Sequence, residues 1–358
     1  MNTGKRILSL DILRGITVAG MILVNNPGTG EVFVPLEHAA WNGLTPCDLI
    51  FPFFLCIMGM STYLSLHKYN FKADRHVVYK ICKRSLLILL VCWSIDWFYL
   101  ACEGDFFPVD KLRLTGVLTR IGICYFFTSM IALRIRHKYI PYIVAILLIF
   151  YGFVLLLGNG YAQADTNIIK IIDQSLLGSK HLYNGAIVDP EGLLSTIPSI
   201  AHTLIGFCIG RVMVEVSDTT RKVGQLLKTG FLLLSAGWLL SFGLPLNKHI
   251  WSPSFVLVTC GAASSLLGVF MYFIDIKGKG RWCTFFRVYG VNPLFLYVLS
   301  EVGSIIFIFT ETKESIIEFL SLLFTNPYIL SAAYATFYML LIGLAGYVLY
   351  KKQIFIKL

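Results

Sequence analysis

The chain has 358 residues, 56% of them hydrophobic and only 14% charged, with a formal net charge of +10 and a mean hydropathy of +0.73. An average soluble domain carries about 25% charged and about 45–50% apolar residues, so composition excludes an ordinary soluble globule. The positive excess would suit nucleic acid, but its placement along the chain excludes that partner.

Apolar runs of about 20 residues recur along the whole length, which is the requirement for crossing a bilayer as helices. Ten spans are predicted, at 7–25, 45–67, 82–101, 114–134, 139–158, 192–213, 225–243, 253–275, 285–309 and 328–350. The first is interrupted by Asp11 and Arg14, and no small-x-small cleavage site follows it, so it reads as a retained helix and not as a leader. The longest excursion between spans is 159–191, and a short interfacial helix is expected around Glu314–Phe324. The fold class is an all-α polytopic membrane protein, a bundle of about ten transmembrane helices forming one domain over 1–358.

Basic residues cluster at alternate connections. They are Lys5 and Arg6; Lys68 to Arg84; Arg134, Arg136 and Lys138; Arg211 to Lys228; Lys277 to Arg287; and Lys351 to Lys357. The intervening connections hold most of the acids, including Glu31, Glu37, Glu103, Asp165, Asp173, Asp189 and Glu314. By the positive-inside rule both termini are cytoplasmic, and the basic excess is a topology signal.

Charged groups inside spans are costly and default to functional hypotheses, with structural pairing as the plain alternative. Asp11 and Arg14 are three residues apart on one helix face, so they can neutralise each other, and a role in donor binding is equally open. Asn25, Asp48, Asp96, Arg120 and Glu301 all fall toward the external ends of their spans, with His38 in the loop between the first two. Unsatisfied polar groups cost several kcal/mol in hydrocarbon, so this set is expected to line an internal cavity. No H-E-x-x-H, Walker loop, G-x-S-x-G or two-histidine metal spacing is present, and no metal is expected. His202 reads as an interior, hydrogen-bonded residue. The nine cysteines contain no C-x-x-C and mostly lie in spans as small buried hydrophobes, while Cys47 and Cys102 near the external face are the one candidate disulfide pair. A single imidazole can act as a general base without a metal.

The runs "SLDILRGITVAGMILVN" and "EHAAWNGLTPCDLIFPFFLCIMG" resemble the opening of the heparan-α-glucosaminide N-acetyltransferase family, which includes bacterial inner-membrane members. The resemblance continues through "LRLTGVLTRIGICYF", "DPEGLLSTIPSIAHTLIGFCIG", "NKHIWSPSFVL" and "YGVNPLFLYVLSEV". The pattern H-x-x-W-x-G-x-x-x-x-D-x-x-F-P, from His38 to Pro52, is the most specific of these.

The resemblance implies a multi-pass protein of the bacterial inner membrane that moves an acetyl group from cytoplasmic acetyl-CoA to the amine of a glucosamine-type sugar on the other side. It implies that His38 is the catalytic histidine and that Asn25 assists, both in a catalytic loop over 25–45. Unlike the lysosomal enzyme, this sequence begins almost directly at the first helix, which leaves the acceptor's identity open. Asp48 and Glu301 are candidates for binding the sugar ammonium or fixing the imidazole tautomer, and Arg120 for neutralising one of them or touching substrate. Asp96, Trp41 and Asn42 are supporting candidates. For the CoA phosphates the basic face offers Lys83, Arg84, Arg211 and Arg287, alongside Arg14 and Asn292, where Asn292 and Pro293 interrupt the ninth span. Expected partners are acetyl-CoA, an amino-sugar acceptor, the lipid bilayer and a second copy in a homodimer, with no nucleic acid. A sugar or anion transporter and a glycan O-acyltransferase are the competing readings.

Overall fold

The computed structural model describes residues 7–183, 185–280 and 283–356. Lys5, Arg6, Arg281 and Lys357, used above for topology, lie outside the described residues. All regular structure among them is helical. In chain order the helices are α1 (Leu8–Asn25), α2 (Ile50–His67), α3 (Arg75–Cys102), α4 (Val117–Arg134), α5 (Ile140–Leu157), α6 (Ile168–Leu177) and α7 (Thr196–Glu215). They continue with α8 (Thr219–Ser241), α9 (Pro253–Phe270), α10 (Thr284–Val291), α11 (Pro293–Phe309), α12 (Thr312–Ser321) and α13 (Pro327–Lys351).

Nine helices among the described residues are long and apolar enough to cross a membrane, and α10 with α11 makes a tenth if that pair counts as one span. The pair is bent by 85° at Asn292. Pro293 has no N–H to continue the ladder and clashes with the preceding turn, so it starts a new helix instead of extending the old one. Asn292 makes this break tolerable. Its Nδ2 donates to the Ile354 carbonyl at 2.9 Å and its Oδ1 accepts from Ile356 N–H at 2.9 Å, fastening the C-terminal segment. A short helix, α12, falls where one was expected. α3 is longer than its apolar core, because Asp74 caps its start by accepting from Val77 N–H at 2.7 Å. The long excursion 159–191 carries a helical insert of its own, α6, which Asn167 caps.

The chain packs as two compact units. The first comprises Met1–Ala39, Thr45–Phe54 and Val269–Lys357; the second comprises Ala40–Leu44 and Leu55–Gly268. In the first unit α1 lies directly against α10. A side chain on Gly15 would collide with the Phe286 carbonyl, and one on Gly290 with the Asp11 carbonyl, so the two backbones touch. Small residues at crossings give membrane helices their van der Waals contact. Val18, Ile22, Tyr289, Leu296, Tyr334 and Tyr338 fill the core beside this crossing. In the second unit Gly59 of α2 and Gly206 of α7 form an equivalent crossing, each backed by the other helix's backbone carbonyls.

Candidate active site

The loop after α1 is held at three places. Its first part lies on α13: Gly28 N–H donates to the Ser331 carbonyl at 3.3 Å, Thr29 Oγ1 to the Pro327 carbonyl at 3.2 Å, and Phe33 packs against Tyr328. Its last part winds onto the start of α2. Thr45 and Asp48 form a capping arrangement there, with Asp48 N–H donating to the Thr45 carbonyl at 3.0 Å. The Asp48 carboxylate reaches back to accept from Thr45 N–H and Thr45 Oγ1, each at 3.1 Å. Thr45 Oγ1 also lies 2.7 Å from the Glu37 carbonyl, so the two ends of the 37–48 segment are tied together.

That anchoring places His38. Its Nδ1 is 2.8 Å from Asp48 Oδ1, and Asp48 Oδ2 accepts from Ala39 N–H at 3.1 Å. Asp48 is 1% exposed, while 45% of the His38 side chain is open. A carboxylate only accepts, so Nδ1 carries the proton and Nε2 carries the lone pair. The buried acid therefore fixes both the ring orientation and the tautomer. Cys47 Sγ adds a contact 3.1 Å from Nδ1. Cys47 was not foreseen as part of this site, and Thr45 was visible only through the T-x-x-D spacing. The pairing of Cys47 with Cys102 is not formed, since all nine cysteines are thiols.

In the same unit Asn25, the last residue of α1, donates from Nδ2 to Glu301 Oε1 at 3.5 Å. Of the two acids considered for fixing the tautomer, Asp48 is the one that contacts His38, while Glu301 accepts from Asn25. Arg14 pairs with Asp11 at 3.1 Å and also donates to the Gly290 carbonyl at 3.3 Å, which ties α1 to α10. Arg287 lies over the Tyr350 ring at 5.5 Å.

The second unit holds the remaining candidates. Trp41 donates from Nε1 to the Tyr161 carbonyl at 2.9 Å and stacks on His249 with centroids 5.4 Å apart. Asn42 Oδ1 accepts from Asn247 Nδ2 at 3.1 Å. Arg120 is fully buried, its guanidinium over Trp251 at 5.0 Å, and it donates to the Gly192 carbonyl and to Ser195 Oγ. Asp96 accepts from Arg113 N–H at 2.7 Å. Lys83 and Arg84 are exposed on α3, with Arg84 over the Tyr125 ring at 4.9 Å.

A network that sequence reading missed joins two of the motif blocks. Arg113 pairs with Asp189 at 2.9 Å and with Glu191 at 3.0 Å. Asp189 also accepts from Thr115 Oγ1 and from the N–H groups of Tyr183 and Glu191. Burial acts to raise the Asp189 pKa, but Arg113 and these donors bring it below the usual carboxylate range. Nearby Asp173 goes the other way: burial raises it to about 6 and Asp189 adds to the rise, against the Leu194 N–H, the Arg120 charge and the Leu193 N–H. No local pattern announces these pairings. Cys56, His202 and Cys260 form a further buried group whose ligand atoms lie within 4.8 Å of one another, a feature that spacing along the chain did not suggest.

A family model described as heparan-alpha-glucosaminide N-acetyltransferase, catalytic, matches residues 6–241. The chain belongs to this family. Its relatives include the heparan-alpha-glucosaminide N-acetyltransferase of Homo sapiens, 27% identical over 430 aligned positions that cover 99% of this chain and 60% of the human protein. The Mus musculus protein of the same name is 27% identical over 438 positions, covering 100% of this chain and 61% of its own. The chain therefore spans about three fifths of the length of these relatives. Within the family's matched segment fall His38, Asp48, Asn25, Trp41, Asn42, Asp96 and Arg120; Glu301, Asn292 and Arg287 lie beyond it.

Proposed function

We propose that this protein is a membrane N-acetyltransferase that moves the acetyl group of acetyl-CoA to the amine of a glucosamine-type sugar, with His38 as general base. The observation that carries this reading is the pair formed by half-open His38 and buried Asp48. Family membership supplies the reaction class, and the names of the human and mouse relatives supply the acceptor class.

An ammonium is not a nucleophile, so a base must take its proton before or during attack on the thioester. With Nδ1–H directed at Asp48, the Nε2 lone pair is the basic position, and Asp48 stabilises the imidazolium as it forms. General-base assistance of this kind contributes about 10²–10⁴ in rate. The tetrahedral intermediate needs donors for its oxyanion, where loss of one donor typically costs about 10²–10³ in rate. The Asn25 amide is assigned this role, with Glu301 orienting it. Collapse of the intermediate breaks the C–S bond, the imidazolium returns its proton to the departing sulfur so that CoA leaves as its thiol, and transfer is direct, without an acetyl-enzyme. Acetyl-CoA enters from the cytoplasmic side, where the basic loops including Lys83, Arg84 and Arg287 favour its phosphates, and the acceptor binds on the opposite face of a bacterial inner membrane.

The test is mass spectrometry of glucosamine incubated with acetyl-CoA and either wild-type or His38→Ala protein. Wild type should produce N-acetylglucosamine, and His38→Ala should fall by at least about a hundredfold while remaining folded. Equal product from both proteins would sink the assignment. An acetyl label that accumulates on protein without acceptor, and then chases into glucosamine, would replace direct transfer by a two-step route.

A further inference from the structure

We propose that the cleft at the α4–α5 turn binds the phosphate headgroup of an anionic phospholipid, whose acyl chains lie along the exposed apolar face of α5. The cleft has a volume of about 430 Å³ and is bordered by Arg134, Arg136, His137, Lys138 and Arg211, with Phe71 at its side. His137 is packed edge-on against Phe71 at 4.2 Å and Phe207 at 5.2 Å between ring centroids.

The charge balance of this cleft is one-sided. Arg211 has a carboxylate partner, Glu215 at 2.8 Å, and that acid is shared with the Tyr63 hydroxyl. Arg134 and Arg136 have no acidic partner among the described residues, and Lys138 lies over the Tyr139 ring at 4.9 Å. Positive charge at membrane edges commonly records topology alone. Here the cations border a concavity that an anion can enter, beside the positive end of the α5 dipole. Guanidinium groups match phosphate oxygens in a two-point fork, and a one-sided cationic border favours a phosphate with net negative charge over one neutralised by a choline.

The second observation selects a lipid over a free phosphate. From the cleft, Tyr142, Ile146, Ile149, Phe153 and Leu156 recur every three or four residues along α5, and each is 58 to 67% exposed. That spacing places them on one helix face, continuous with the basic turn. Cationic pocket and apolar stripe together match a molecule with a phosphate at one end and hydrocarbon at the other. Tyr139 and Tyr142 stand between, where amphipathic rings favour the interface.

The test is native mass spectrometry of the detergent-purified full chain, titrated with phosphatidylglycerol or with phosphatidylcholine of the same acyl chains. Wild type should bind one phosphatidylglycerol in preference to phosphatidylcholine. Each basic residue near an anionic headgroup contributes roughly a fivefold gain, so Arg134→Gln with Arg136→Gln should weaken binding about 30-fold. Lys228→Gln, an exposed charge on α8, should leave it unchanged. Both arginines are exposed, so the double variant should melt with the wild type in lipid-free detergent; if it does not, the Arg136→Gln single variant carries the test, with a loss of about fivefold. Equal affinity for the two lipids, or full binding by the variants, overturns the proposal. Displacement of phosphatidylglycerol by CoA alone would also overturn it, making the cleft a nucleotide-phosphate site.

Discussion

At the scale of single residues, the division of labour between His38 and Asp48 sets the sharpest expectations. Asp48→Asn keeps the size of the side chain but presents a neutral group that can also donate, so the imidazole loses both its fixed tautomer and its countercharge. Acetyl transfer is expected to fall by about 10²–10³ in kcat, with little change in KM for acetyl-CoA. Single-turnover kinetics would check this; an unchanged kcat would show that Asp48 serves only as a helix cap. Thr45→Ala removes one arm of the same cap and should lower stability by about 1 kcal/mol, measured by thermal unfolding. Asp173 supplies a pH signature. Its folded pKa of about 6 exceeds the ordinary carboxyl value of 3.8, so the folded state holds the extra proton between those values. Stability from this group is therefore greatest below the unfolded value and is lost as pH rises to about 6. Asp173→Asn should be more stable than wild type at pH 7.5 by about 3 kcal/mol at most, seen as a higher melting temperature, the advantage vanishing near pH 4. A constant difference between the two across that range would contradict the burial argument.

At the scale of elements, the contact of α1 with α10 depends on two glycines facing opposite backbone carbonyls. Gly290→Ala inserts a methyl group where the Asp11 carbonyl already sits, and overpacking of this kind costs about 1–3 kcal/mol. Because Arg14 reaches the Gly290 carbonyl across the same crossing, the variant should also weaken that bond. Thermal unfolding of Gly290→Ala beside Gly224→Ala, where a side chain meets open space, separates this close approach from a general effect of losing glycine. The 85° break between α10 and α11 follows similar local logic. The proline was visible as an interruption of the ninth span, and the structure adds what satisfies the break: the Asn292 side chain, used on the C-terminal segment.

At the scale of the molecule, the charge pattern predicts that α3 crosses with its N-terminal end in the cytoplasm. Cys82 and Cys102 are both exposed, and the 20 residues between them correspond to about 30 Å of helix, the thickness of a bilayer core. A membrane-impermeant maleimide applied to intact cells should label Cys102, with Cys82 reacting only after permeabilisation; Cys102→Ser should abolish the first signal. Labelling in the reverse order would invert the topology. How much of this protein was legible in the chain follows from the range of each interaction. Bilayer-crossing helices depend on runs of apolar residues, so their number and approximate limits were written locally, as were the break at Pro293, the T-x-x-D cap and the motif around His38. α6 was missed because its capping residue, Asn167, sits in a segment without a membrane-length run. The Asp48 partner of His38 lies only ten residues away, yet its role needed the folded loop, because spacing in a turn does not fix where a carboxylate points. Asn25 with Glu301, and Arg113 with Asp189, join residues that are 276 and 76 positions apart. Such pairs are chosen by helix packing, which depends on the whole sequence at once. The chain by itself determined a helical membrane protein and its reaction family; tertiary structure decided which acid holds the histidine and which arginine is locked in place, because those partners meet only when the helices pack.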